Sequence, residues 1–258
     1  MSESPDVRVD VSDRVLTLQI NRPAKKNALT LAMYDAMTAA LDRALEDPQI
    51  RTVLLRGSEG CFTAGNDLLD FMQRPPSSAD SPVGKFLEAL VGHPKPIVAA
   101  VEGVAIGVGT TMLLHCDLVY AAPTTRFQLP FVPLGLGPEA GSSLLLPQLC
   151  GHQRAAELLL LGEPFDGAKA FELGLVNRVV EPEGLHAWAR ERAVALATLP
   201  PASIRLTKRL LRAPIRATLE AAMSDESTAF FERLRAPEAA EAMSAFFAKR
   251  KPDFSRFD

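Results

Sequence analysis

The chain has 258 residues, 47% hydrophobic and 23% charged, which supplies one sizeable core and argues against disorder. Its formal net charge of −3 provides no global field towards nucleic acid or an anionic membrane, and no stretch has the charge-free length of a membrane span. Three cysteines, Cys61, Cys116 and Cys150, lack C-x-x-C spacing and so suggest neither a disulfide framework nor a zinc site.

Val7–Val11 and Val15–Ile20 alternate apolar with polar residues around Ser12-Asp-Arg14, the pattern of a hairpin with one buried face. Leu31, Met33, Met37, Leu41 and Leu45 recur at helical spacing, with Thr30 as N-cap. Thr52–Arg56 and Pro96–Val101 are short apolar runs suited to strands covered on both faces. Between them the Pro- and Ser-rich stretch Arg74–Pro82 predicts a mobile connection bordering substrate, followed by a helix over Val83–Val91.

Gly107–His115 predicts a helix, Leu118–Ala121 and Arg126–Gln128 strands, and Glu139–Leu149 a further helix entered through Gly135 and Gly137. Helices near Gln153–Leu161 and Gly167–Leu173 precede a strand at Val176–Val180. Beyond Pro182 the pattern is helical throughout: Leu185–Thr198, Ala202–Leu211, Ile215–Leu234 and Glu238–Lys249. Alternating strands and helices predict an α/β fold with a mostly parallel sheet. Residues 1–198 read as its core and 199–258 as a helical appendage.

Two glycine turns carry the chemistry. In Cys61-Phe-Thr-Ala-Gly-Asn-Asp-Leu68 and Val101-Glu-Gly-Val-Ala-Ile-Gly-Val-Gly109, a glycine precedes a residue whose backbone N–H lies at a helix start, namely Asn66 and Val108. The second turn is not a dinucleotide fingerprint, because Met112 stands where a third glycine belongs, and there is no Gly-Lys-Ser/Thr of a Walker loop. Two such N–H groups can hold one developing oxyanion, although each turn alone is equally explained by tight helix–strand packing. Glu139, after Pro138, is either a proton carrier or a helix-dipole partner. His93, His115, His152 and His186 fall on different elements without ligand spacing and read as structural, so no metal is expected. Ser142 and Ser143 lie outside any G-x-S-x-G elbow. Arg205, Lys208, Arg209, Arg212 and Arg216 share a helical face, read as solvated, with a phosphate site as the alternative.

As an ordered set, Asn21-Arg-Pro-Ala-Lys-Lys-Asn-Ala-Leu29, Phe62-Thr-Ala-Gly-Asn-Asp-Leu68, Ile97-Val-Ala-Ala-Val-Glu-Gly103, Cys116-Asp117 and Phe171-Glu-Leu-Gly-Leu-Val-Asn177 resemble the crotonase, or enoyl-CoA hydratase/isomerase, family. The resemblance implies a spiral of ββα turns, a C-terminal helical trimerisation region and a homotrimer or hexamer built as a dimer of trimers. It implies an acyl-CoA thioester as the partner, with coenzyme A entering as part of the substrate rather than as a bound cofactor. It also implies an oxyanion hole made by the N–H groups of Asn66 and Val108. Substrate contacts are implied at Ala24, Lys25, Ala64, Gly65, Asp67, Leu68 and Gly107, and from a neighbouring subunit at Phe246 and Lys249.

The two glutamates of the family's hydratases are replaced by Thr111 and Phe131. Glu139 instead lies in a stretch similar to that of peroxisomal-type Δ3,Δ2-enoyl-CoA isomerases, which implies a one-glutamate proton shuttle. Hydration, another crotonase reaction, or a non-catalytic acyl-CoA- or RNA-binding role stand as alternatives. Phe71, Met72 and Leu87 are expected to set acyl-pocket depth, with Phe131, Leu134 and Leu136 flanking Glu139. The first residues have no basic or apolar leader and the last are not Ser-Lys-Leu, so a cytoplasmic location is expected.

Overall fold

A computed structural model describes residues 4–73 and 80–257; most of the connection expected between Arg74 and Pro82 lies outside them. Strand β1 (Val7–Ser12) pairs antiparallel with β2 (Val15–Ile20), which runs parallel to β3 (Thr52–Arg56). The sheet continues in parallel through β4 (Ile97–Val101), then passes over the three-residue β5 (Val104–Ile106) to β6 (Leu118–Ala121). Strand β7 (Arg126–Gln128) pairs with β5 in a second sheet, and β8 (Arg178–Val179) closes the first.

The spiral follows from this alternation. The chain leaves β4 for β5, returns to β6 and leaves again for β7, while Thr63 bridges Ala105 one turn below. Two turns therefore contribute a strand to each layer, β4 with β5 and β6 with β7, and the turns on either side add isolated bridges at Thr63 and Phe165, in keeping with the expected ββα spiral. Strand β5 was not legible in advance, because three residues carry too little periodicity to register.

Helix α1 (Leu31–Glu46) begins as expected, with Thr30 Oγ1 accepting from Met33 N–H at 3.3 Å. Its buried face of Met33, Met37, Leu41 and Ala44 joins the main core, and the short α2 (Leu68–Gln73) leads to α3 (Pro82–Gly92) beside it. The predicted helix at Gly107–His115 is two pieces, α4 (Val108–Thr111) and a 3-10 turn at Met112–His115. Helix α5 (Ser142–Cys150) begins three residues later than predicted, so Glu139 lies in the loop before it. Short helices α6 (His152–Ala156) and α7 (Gly167–Glu172) follow, and the predicted strand at Val176–Val180 shrinks to β8.

Helix α8 (Pro182–Thr198) covers the far face of the first sheet. Leu185, Ala189, Ala193 and Ala197 recur every fourth residue, and these mostly small side chains let it lie close against Val15, Leu54, Val98 and Ala100. With cover on both sides, the central strands need no polar face. Helices α9 (Pro201–Arg212), α10 (Arg216–Leu234) and α11 (Pro237–Phe247) complete the chain. Among the described residues no helix is long and apolar enough to cross a membrane.

The basic face of α9 is not simply solvated. Lys208 is buried, donating to the Lys95 carbonyl at 2.8 Å and to Asp117 at 2.6 Å. Arg212 donates to the carbonyls of Val91 and His115 and lies 3.6 Å from Asp117. Helical spacing assigns a side chain to a face; it does not reveal that a carboxylate and three carbonyls wait opposite that face.

Candidate active site

The two glycine turns meet. Phe62 and Thr63 donate backbone hydrogen bonds to Glu102 and Val104 at 2.8 and 2.9 Å, and Ile106 N–H returns one to Thr63. This bridge carries Gly65 (φ +86°) against the carbonyl of Ile106, where a Cβ would stand 2.5 Å from that oxygen. Gly109 approaches Thr63 as closely, and Gly107 (φ +57°) donates to Gln128 at 2.9 Å. Gly65 is needed for both its contact and its conformation, Gly109 for its contact and Gly107 for its conformation, which only glycine adopts at low cost.

Both turns leave one donor over. Among the described residues, Asn66 N–H and Val108 N–H have no hydrogen-bond acceptor, whereas their neighbours Gly65, Asp67 and Gly107 do. Val108 is the first residue of α4, and Thr111 at the other end of that turn reaches Glu139 (Oγ1–Oε1, 3.5 Å). The free N–H and the glutamate are thus joined through one helical turn. Tyr34, on the buried face of α1, donates from its hydroxyl to Asn66 Oδ1 at 2.5 Å.

Glu139 is only 9% exposed. Burial, then the negative charge of Glu226, pushes its carboxyl up to about 7, against the smaller opposing bond from Thr111. It lies in the wall of a cavity of about 680 Å³ between α3 and α10, with Phe71, Val83, Leu87, Met223 and Phe230 among the apolar lining. Glu88 and Glu220 also border this cavity, but both are exposed. Of the three residues expected to set acyl-pocket depth, Leu87 and Phe71 line this cavity. Met72 does not: it is 49% exposed and outside the wall, because α2 turns its 71 position inward and 72 outward. Phe131 is buried in the cluster beneath, with Leu136, and Leu134 packs at its edge.

The remaining candidates divide into two groups. Ala24 and Lys25 form an exposed 3-10 turn whose next residue, Lys26, accepts from Ala64 N–H at 2.9 Å, so they stand beside the first glycine turn. Leu68 opens α2 directly after it. The Asp67 carboxylate is occupied: Arg22 donates to it at 2.6 Å, and Leu69 and Asp70 N–H cap α2 on its other oxygen. Burial would raise its pKa, but these bonds outweigh burial and hold it below the ordinary carboxylate range. Phe246 and Lys249 are exposed at the end of α11 and outside the Glu139 cavity.

The loop of Glu139 is held from outside. Ala140 (φ +58°) and Gly141 (φ +72°) are consecutive left-handed residues. The His115 Nε2 group lies 2.7 Å from the Ala140 carbonyl; a carbonyl only accepts, so this nitrogen carries the proton. Burial, and then the charges of Arg212 and Lys208, outweigh that bond and depress His115 to about 4, leaving it neutral. Glu226 on α10 accepts from Gly141 N–H, Ser143 N–H and the Ser143 hydroxyl at 2.6, 2.8 and 2.5 Å.

Tyr34, His115 and Glu226 were not singled out as site residues from the sequence, where His115 reads as structural. For Glu226 a signal existed, since Leu219, Met223 and Phe230 place it on an apolar stripe of α10 where a carboxylate is out of place. Tyr34 shares its face with Met33 and Met37 and reads as core.

Comparison with known proteins agrees along nearly the whole chain. Residues 10–256 match the family model described as enoyl-CoA hydratase/isomerase. Among characterised relatives, 1,2-epoxyphenylacetyl-CoA isomerase of Escherichia coli is 36% identical, with 95% of this chain and 96% of that protein covered. Enoyl-CoA delta isomerase 2 of Rattus norvegicus is 34% identical over 97% of this chain, which spans 65% of the rat protein's length. The structure of Pseudomonas aeruginosa OdaA superposes with a TM-score of 0.92 at 49% identity, covering 94% of this chain and 99% of that one.

Proposed function

This chain belongs to the enoyl-CoA hydratase/isomerase (crotonase) family of acyl-CoA-processing enzymes, and we propose that within it the chain is a Δ3,Δ2-enoyl-CoA isomerase. The observation that carries the reading is Glu139, among the described residues the one buried carboxyl of the cavity wall, facing a threonine at 111 where hydration would want a second acid. Adding water needs one group to activate the water and another to deliver a proton; moving a double bond needs one group that does both in turn.

In this reading the thioester oxygen accepts from Asn66 N–H and Val108 N–H. Glu139 removes a proton from C2, and the electron pair spreads over the thioester and the C3–C4 double bond as a dienolate. Glu139 then returns the proton to C4, leaving the double bond between C2 and C3. A carboxyl with a pKa of about 7 suits both halves, since it ionises near neutrality and is still acid enough to give the proton back. The apolar part of the lining, Phe71, Val83, Leu87, Met223 and Phe230, favours the transfer, because water would compete for the dienolate. Ala24 and Lys25 are assigned the nucleotide end of CoA. Phe246 and Lys249 are assigned to a neighbouring copy in a trimer or hexamer.

Incubation with a 3-enoyl-CoA and, separately, a 2-enoyl-CoA tests the assignment. Conversion of the first without hydration of the second is expected. Fast hydration of the 2-enoyl-CoA that survives Glu139→Gln overturns it.

A further inference from the structure

A buried carboxylate away from the reacting atoms needs a reason, because burying an unanswered charge is expensive. Glu226 is 7% exposed in the middle of α10, and among the described residues its carboxylate accepts from the loop that carries Glu139 and the first turn of α5. Oε2 takes Gly141 N–H, while Oε1 takes both the N–H and the hydroxyl of Ser143. These donors lie two and four residues beyond the glutamate, at the entry to α5.

One local bond closes this turn, from Ser142 N–H to the Glu139 carbonyl at 3.1 Å, and its left-handed residues need support besides it. Ala140 occupies the left-handed region, which costs a residue with a Cβ about 1 kcal/mol or more, so neighbouring contacts must enforce it. His115 grips the Ala140 carbonyl, and Glu226 grips the amides of Gly141 and Ser143. Rotation of the peptide between 140 and 141 would break both contacts and release the turn that carries Glu139. Charge-assisted hydrogen bonds are about twice as strong as neutral ones, so Glu226 is the firmer of the two grips.

We propose that Glu226 is a positioning residue of the reaction: from the C-terminal helices it fixes the Ala140–Gly141 turn so that Glu139 faces α4 and its free N–H. The proposal rests on the reading of Glu139 as the base. A second consequence is electrostatic, since the Glu226 charge adds to burial in keeping the Glu139 proton bound. The other groups facing Glu139 are the Thr111 hydroxyl from α4 and the Tyr34 hydroxyl from α1, which feels the Glu139 charge in return. His115 faces the loop carbonyl, and Glu88, Glu220 and Arg216 stand at the cavity border.

The test compares wild type with Glu226→Gln, Glu226→Asp and Ser143→Ala in the full chain, measuring kcat and KM for a 3-enoyl-CoA across pH. A carbon-13 titration of the Glu139 carboxyl runs beside it. Glu226→Gln keeps the shape but loses the charge and one acceptor; kcat should fall about 10- to 100-fold, the scale of a roughly 1 Å misplacement, with KM changed little. Its acid limb should move to lower pH, while Glu226→Asp, which retains the charge, should leave the limb in place. Ser143→Ala, which removes one donor of three, should lower kcat by roughly a few-fold. A Glu226→Gln protein with wild-type kcat and an unmoved limb, even one that melts earlier, overturns the proposal, because an anchor of stability alone would behave so. If wild type fails to isomerise any 3-enoyl-CoA, the reading of the base fails instead. The titration still decides Glu226: an unchanged Glu139 titration in Glu226→Gln sinks the proposal, and a shift to lower pH supports it.

Discussion

The two halves of the site are built in opposite ways. The oxyanion turns are held by backbone: Gly65, Asn66, Gly107 and Val108 are oriented by main-chain bonds and bridges between successive turns of the spiral, Leu29 to Asn66 and Thr63 to Ala105 among them, and each free N–H follows from one glycine. The base is remote: Glu139 lies in an irregular loop whose shape is imposed by His115 from the turn after α4 and by Glu226 from α10. A turn made by its own backbone tolerates distant changes, whereas a loop clamped from elsewhere passes on every disturbance of its clamps. Asp117 shows how far this reaches. It receives Lys208 and lies near Arg212, and Arg212 in turn donates to the His115 carbonyl.

Substitutions can separate the two halves, and the largest effect should come from the base itself. Glu139→Gln keeps the loop but removes the proton carrier, and should lower kcat by about 10³–10⁴, measured as 3-enoyl-CoA turnover. In wild type, kcat/KM should fall as pH drops through about 7, since only the ionised Glu139 can take the C2 proton; a flat profile from pH 5 upward would contradict the role.

Removing a clamp's foundation comes next. Asp117→Ala leaves the buried Lys208 ammonium without its partner and should destabilise the fold by about 3–5 kcal/mol, read by denaturant unfolding. The local turn should respond differently. Gly65→Ala drives a Cβ into the Ile106 carbonyl at a positive φ, displaces Asn66 N–H, and should reduce kcat by about 10²–10³ while Glu139 titrates as before. Loss of the Glu139 titration in that variant would show that the halves are not independent.

The smallest expected effect is one of stability and carries a sign. The folded Glu139 pKa of about 7 lies above its ordinary 4.5, so the stability linked to its proton is complete below 4.5 and is lost as pH rises through about 7. Above that pH wild type bears an ionised, buried carboxylate that Glu139→Gln lacks. The variant should therefore be more stable by up to about 3 kcal/mol at pH 8, and no more stable at pH 4, by thermal melts at both.

Much of this was legible in residue order. The hairpin, α1 with its Thr30 cap, the two covered strands and α10 need only periodicity and capping chemistry. The glycine turns were legible because a glycine before a helix start has a backbone reason wherever it occurs. Their family likeness, and the absence of glutamate at 111 and 131, are facts of the chain itself.

Tertiary structure decided what distance in sequence hides. Helix α5 was expected to begin at Glu139 because Pro138-Glu139 has the composition of a first turn. Instead Glu226 claims the amides of Gly141 and Ser143, His115 claims the Ala140 carbonyl, and the helix waits until Ser142. The same holds for Lys208 and Arg212, read as solvated until Asp117 and the carbonyls of Lys95, Val91 and His115 came into reach. Residue order determined the oxyanion turns because their glycines mark the two free N–H groups, although the bonds that bring the turns together join distant positions such as Thr63 and Val104. The placement and proton affinity of Glu139 depend on burial and on a charge 87 positions away in the chain, which no spacing rule can bring beside it.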